Sequence, residues 1–271
     1  MPKALLSLLL LAGSLSAQVF APGTEARALA GPGTAKTFVL PGNEILPQIA
    51  NGELGGGQSF FTLFDAVNIS GAPAIFQINF FDPSGMPMEL PIMQDGATVD
   101  TNIIGDAIAP GGVRFAQSVP DGAEVKIGWA FVQSSPEGAI AVTARFSNQV
   151  PGERLYQASI PVETHLHQNF FMPFINTGGF VASAAIVSLV PQTVTFSVLS
   201  SSGTKICSTT EDFTAGQHRA VILSTLLTCA ADTNAVFAVE GEAIGLSGVG
   251  FQAADMGLGA FVTAPVYGPV P

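Results

Sequence analysis

The stretch Asn68-Ile-Ser-Gly-Ala-Pro73-Ala-Ile-Phe76-Gln-Ile78-Asn-Phe80-Phe-Asp-Pro-Ser-Gly85 decides the reading of this chain, because a second stretch lies over it without a gap. The second is Ile186-Val-Ser-Leu-Val-Pro191-Gln-Thr-Val194-Thr-Phe196-Ser-Val198-Leu-Ser-Ser-Ser-Gly203, in which Pro191 meets Pro73 and Gly203 meets Gly85. In both, apolar side chains alternate with polar ones: Phe76, Ile78 and Phe80 around Gln77 and Asn79, then Val194, Phe196 and Val198 around Thr195 and Ser197. A period of two places the apolar set on one face, which is the signature of a strand with one buried side. Asp82-Pro-Ser-Gly85 and Ser200-Ser-Ser-Gly203 then turn the chain, since Pro presets φ and Gly accepts positive φ.

Working outward, three more blocks recur in the same order. Ala109-Pro-Gly-Gly-Val-Arg114 lies over Thr214-Ala-Gly-Gln-His-Arg219, Ala144-Arg-Phe146 over Val249-Gly-Phe251, and Ile160-Pro-Val162 over Ala264-Pro-Val266. The chain therefore reads as an internal duplication whose copies differ mainly by an insertion between Gly85 and Pro110. Val125, Ile127, Trp129 and Phe131 share one face of a further strand, read as a core face; Ser134-Ser-Pro-Glu-Gly138 turns, and Ile140, Val142, Ala144 and Phe146 share a face of the return strand. Strands near Phe60–Ile69, Pro87–Pro91, Val113–Ser118 and Tyr156–Val162 bring the total to about seven per copy of roughly 110 residues, the pattern of an immunoglobulin-like sandwich. The expected fold is all-β, two tandem immunoglobulin-like antiparallel β-sandwich domains, over residues 45–162 and 163–271. Glu163 and Thr164 leave almost no linker, so the pair is expected to be fixed. Only Val221–Ala230 carries helical character, enough for one or two turns.

Composition agrees. Hydrophobic residues make up 48% of the 271 residues and charged ones 11%, which excludes disorder and allows sizeable cores. The 30 Gly and 19 Pro suit short strands and turns better than long helices. A net charge of -11 repels phosphate backbones, so nucleic-acid binding is excluded.

Met1-Pro-Lys3 followed by the apolar run Ala4–Ala12 reads as a signal peptide over residues 1–17, since the run is too short to span a bilayer. Residues 18–44 form an Ala/Gly/Pro-rich lead-in with a first strand at Thr37–Leu40, and no later stretch is apolar for long enough to cross a membrane. A secreted, extracellular chain is expected. Its two cysteines, Cys207 and Cys229, are expected to form a disulfide in an oxidising compartment, with a pair of buried thiols as the alternative.

Phe80–Gly85, Pro110–Gly112 and Gly128–Val132, in an order that closes on Pro161-Val162, carry a resemblance to uncharacterised secreted β-sandwich repeat proteins encoded by environmental bacteria. It extends over about residues 45–266 and implies architecture and export, and no activity. The second copy departs from it: Gly128-Trp129 has no counterpart near Asn234-Ala235, and Asp82-Pro83 becomes Ser200-Ser201.

Catalytic chemistry is thinly represented. His165 and His167, spaced to share one side of an extended strand, make with His218 a conceivable metal set, although the residues that follow, Gln168–Met172, are amide and apolar. No nucleophile elbow is present, and the glycine-rich Gly245–Gly250 lacks the strand–helix setting of a phosphate cradle. Asp95, Asp100 and Asp106, or Glu240 and Glu242, match no recognised calcium loop. Trp129 and Tyr156 are the candidates for a ligand platform, since exposed aromatic rings stack on sugars, while the alternation around Trp129 favours core packing. The expectation is thus a non-enzymatic protein without cofactor that plays a structural, adhesive or partner-binding role toward an extracellular protein or glycan. A carbohydrate-binding module and a metal-dependent enzyme using His165, His167 and His218 are the alternatives.

Overall fold

The computed structural model describes residues 44–122, 124–152, 155–254, 261–264 and 266–268. The expected signal peptide, and the lead-in up to residue 43 with its strand at 37–40, lie outside the described residues. The fold is all-β with antiparallel strand pairing, and helix among the described residues is confined to α1 (Leu223–Leu226) and a 3-10 turn at Thr228–Ala230, inside the segment read as helical.

The first half contains β1 (Glu44–Gly55), β2 (Gln58–Asn68), β3 (Ala74–Phe81), β4 (Leu90–Gln94), β5 (Ala97–Thr101), β6 (Ile103–Ile108), β7 (Val113–Ser118), β8 (Lys126–Ser135), β9 (Ile140–Gln149) and β10 (Leu155–Ile160). They form one ten-stranded sheet. One layer runs β1-β8-β3-β6 and the other β5-β4-β7-β2-β9-β10. β1 joins the layers: Glu44–Asn51 pairs with β8 and Gly52–Gly55 with β2, so the sheet curls into a near-barrel. Gly52, at φ 131°, sits where the strand changes partner, a backbone angle that a side chain would resist.

The second half contains β11 (Asn169–Ile175), β12 (Phe180–Ser188), β13 (Gln192–Leu199), β14 (Lys205–Phe213), β15 (Gln217–Ile222), β16 (Asn234–Gly241), β17 (Leu246–Ala254) and β18 (Phe261–Ala264). Two four-stranded sheets result, β11-β16-β13-β14 and β15-β12-β17-β18. The order β1-β8-β3-β6 thus recurs as β11-β16-β13-β14, and β7-β2-β9-β10 recurs as β15-β12-β17-β18. Only the hairpin β4–β5 has no counterpart, and it occupies the insertion between Gly85 and Pro110. Its turn is Asp95-Gly96, both at positive φ (50° and 80°), an Asp-Gly hairpin signal that the strand expected at 87–91 passed over.

Backbone pairing shifts two parts of the overlay: Leu63 faces Arg145 as Ser183 faces Phe251, so Ala144 corresponds to Gly250 and the Ala144–Phe146 block moves by one residue, and the loop before β3 shifts as well. The amide of Gly111 donates to Asn68 O and that of Gly216 to Ser188 O, while Val67 pairs with Val113 as Val187 pairs with His218. Asn68 therefore corresponds to Ser188, and the loop before β3 is two residues longer than the one before β13. Loops absorb such differences because they lie outside the packed layers.

Each half has its own core, with Phe64, Phe76, Ile78 and Phe80 in the first and Phe170, Phe196, Val198 and Phe237 in the second. The alternation read in β3 is the burial pattern observed; in β13 Val194, Phe196 and Val198 are buried as read, but Ser197, read on the polar face, is buried as well. In β8 the period is right and the face reversed: Ala130 and Val132 point into the first core, while Trp129 turns away from it. The inward position before them is Gly128, where a Cβ would stand 2.0 Å from Phe81 O, so the sheet interior there takes small residues and the bulky face needs a different cover. The second half provides it.

Candidate functional site

The described residues with the strongest constraints gather at the seam between the halves. Trp129 stacks on Phe81 (centroids 4.5 Å apart) and packs with Ile45 and Val187, and its indole Nε1 donates to Gly216 O at 2.9 Å. The seam is backbone against backbone at one point: a Cβ on Gly85 would lie 3.0 Å from Gly216 O, and both glycines have positive φ. The His218 amide donates to Pro83 O at 2.9 Å, while Ile45 is held within the first half by backbone hydrogen bonds exchanged with Glu163, just after β10 (2.9 and 2.8 Å). Turn residues chosen for their backbone angles thus also bring the two halves into contact.

His218 is fully enclosed there. Its Nε2 lies 3.1 Å from Gln48 Oε1, and burial holds its pKa down to about 3, with the Pro47 carbonyl drawing it up and the Arg219 charge adding to the depression. Gln48 reaches this position because β1 carries one extra residue between Leu46 and Ile49, a bulge that re-aims the side chain. The neutral imidazole is a structural hydrogen-bonding group sealed from solvent. Sequence reading singled out His218 and missed Gln48, since a bulge leaves little mark in a pattern of alternating residues.

His165 is exposed with Nδ1 2.9 Å from Thr164 Oγ1, and His167 meets Glu163 Oε2 at 3.3 Å. The carboxylate partner of His167 therefore precedes it by four residues, where the reading looked for one downstream. Among the described residues no group of three His, Cys, Asp or Glu side chains is placed to hold a metal, and the three histidines do not converge. Asp106 is ion-paired with Arg114, Glu240 lies 3.7 Å from Lys205, and Asp95 occupies the β4–β5 turn.

The two residues read as a ligand platform come from opposite layers. Trp129, on β8, is 5% exposed and covered by the second half, so its ring offers solvent no stacking face. Tyr156, on β10, is half-buried opposite Asn148. Cys207, on β14, and Cys229, in the 3-10 turn, form a disulfide with Cα atoms 6.5 Å apart, linking an edge strand of one sheet to the segment that follows the other.

No described helix is long and apolar enough to cross a membrane, a statement that does not extend to β-barrels. Comparisons with protein-family models, curated proteins and solved structures find no match.

Proposed function

We propose that this chain is an exported, non-catalytic scaffold of two tandem sandwich modules with a structural, adhesive or partner-binding role. The observation that carries the reading is the recurrence of one strand order in both halves, joined by a buried seam that uses backbone, indole and imidazole contacts to hold them in one relation. Two repeats fixed in this way present surfaces at a constant spacing, which suits binding and assembly. In each half the second strand pairs with the fifth and the third with the sixth, leaving the β4–β5 hairpin aside, as in immunoglobulin domains. The first and seventh strands have exchanged neighbours relative to that class, so the modules are immunoglobulin-like with a swapped edge. The disulfide supports export, as does the resemblance to secreted bacterial β-sandwich repeat proteins. A glycan-binding role loses its strongest residue with the burial of Trp129.

The test is retention of the purified chain on immobilised extracellular proteins and glycans, with hydrolysis of the same ligands followed in parallel. Saturable binding without turnover is expected. Turnover that disappears in His165→Ala/His167→Ala would overturn the reading.

A further inference from the structure

The seam is not symmetric. The first half contributes the outer face of β1-β8-β3, with Ile45, Phe81 and Trp129, and the second half contributes the outer face of β12-β15, with Val187, Leu189 and His218. Two unlike faces meet, so the contact is head-to-tail. Its effect on burial is plain: Ala185, Val187, Ser247 and Val249 lie on the outer face of their sheet and are nevertheless buried.

Backbone pairing locates the counterparts of the same two faces, which do not take part in the seam. In the first half, Val67, Ile69, Val113 and Phe115 stand where the second half has Val187, Leu189, His218 and Ala220. Ile69 is 66% exposed and Phe115 62%, and Val113 is exposed as well. The ion pair of Asp65 and Arg145, at 2.8 Å, stands at the positions of Ala185 and Phe251, so this face carries one neutralised charge pair beside its apolar residues. In the second half, Phe171, Leu199 and Val236, each half-buried, stand where the first has Ile45, Phe81 and Trp129. The correspondence includes the isolated bridges, Ile45 to Glu163 and Phe171 to Tyr267. Pro173 takes the place of the Pro47-Gln48 bulge, beside the exposed Ile175.

The chemistry of the two open faces is matched. At the closed seam a polar pair meets, Gln48 with His218; at the open faces the same positions hold Pro173 and Val113, both apolar. We propose that the occupant of each open face is a second copy of this chain: the β11-β16-β13 face of one molecule docks on the β2-β7 face of the next, repeating the internal seam. A heterologous contact of this kind builds a ring or a filament according to whether the rotation closes. The inference rests on the two-module reading.

The test is sedimentation velocity of the purified full chain across concentration, alongside Val113→Lys, which blocks one face, and Val236→Lys, which blocks the other. The parent is expected to grow in mass with concentration, each variant to stay monomeric, and an equimolar mixture of the two to form a dimer and nothing larger, because one intact junction remains. Phe115→Lys and Ile175→Lys, at more exposed positions, give the same pattern should either first variant fold poorly by circular dichroism. A parent that is monomeric at every soluble concentration overturns the proposal, as does Val236→Lys self-association, which means a symmetric contact. Monomer results leave the two-module reading standing, since that reading falls on turnover.

Discussion

The indole Nε1 of Trp129 donates to the carbonyl oxygen of Gly216 across 87 residues of chain, at 2.9 Å and out of contact with solvent. A donor on a strand of the first half thus meets an acceptor in a turn of the second, beside the contact of Gly85 with that same turn. Stacking on Phe81 orients the ring, and the short connection through Glu163 and Thr164 keeps the halves close. The seam is a packed and hydrogen-bonded interior shared by both halves.

Trp129→Phe keeps most of the packing and leaves Gly216 O without its donor, a loss of about 1–3 kcal/mol for an unpaired buried group. Trp129→Ala also opens a cavity, and the expected loss rises to about 3–5 kcal/mol. Denaturant unfolding followed by circular dichroism checks both; the alanine variant is further expected to split one transition into two as the halves uncouple. An unchanged midpoint for Trp129→Ala would contradict the packing described.

Acid should weaken the seam through His218. Its folded pKa, about 3, lies below the ordinary value of 6.5, so the unfolded chain binds the proton more readily. The stability contributed by the neutral ring is complete above pH 6.5 and is lost as pH falls from there toward 3. At about 1.36 kcal/mol per unit, the full loss is on the order of 5 kcal/mol. His218→Gln, measured by chemical unfolding from pH 7 to pH 4, is expected to show a shallower decline than the parent. Parallel pH profiles would rule out the buried imidazole as a source of acid sensitivity.

Reduction of the Cys207–Cys229 disulfide, which closes a loop with a sequence separation of 22, removes about 3 kcal/mol in the chain-entropy picture. In a chain of this size that corresponds to a fall in Tm of roughly 6–12 °C. Calorimetry of Cys207→Ser/Cys229→Ser is the measurement, and the fall is expected in the single transition that the seam couples, since the bridge ties β14 to the turn that follows β15. A Tm equal to the parent's would mean that the link constrains nothing.

Much of the fold was legible because alternation is a local property. Phe76, Ile78 and Phe80, and Val194, Phe196 and Val198, announce which side of each strand is buried, and their shared spacing to Gly85 and Gly203 announces a repeat. The Val113–Ser118 strand was placed at its observed bounds, and the insertion between Gly85 and Pro110 is the hairpin β4–β5. Alternation identifies two faces without saying which is covered by what, and in β8 the bulky face belongs to the seam. The bulge at Gln48 and the carboxylate beside His167 were illegible for a related reason: each depends on where a backbone goes after it leaves a regular strand.

By itself the sequence determined an all-β chain with paired, phenylalanine-rich strand patterns, because the period of side-chain burial is set by the pleat of a strand and needs no knowledge of its neighbours. Only the tertiary structure decided which strands pair, that β1 bridges two layers, and that Trp129 and His218 face each other's halves across a common seam. Those outcomes depend on contacts between residues far apart in the chain, and pairing of that kind is fixed by the packing of whole sheets rather than by any local run of residues.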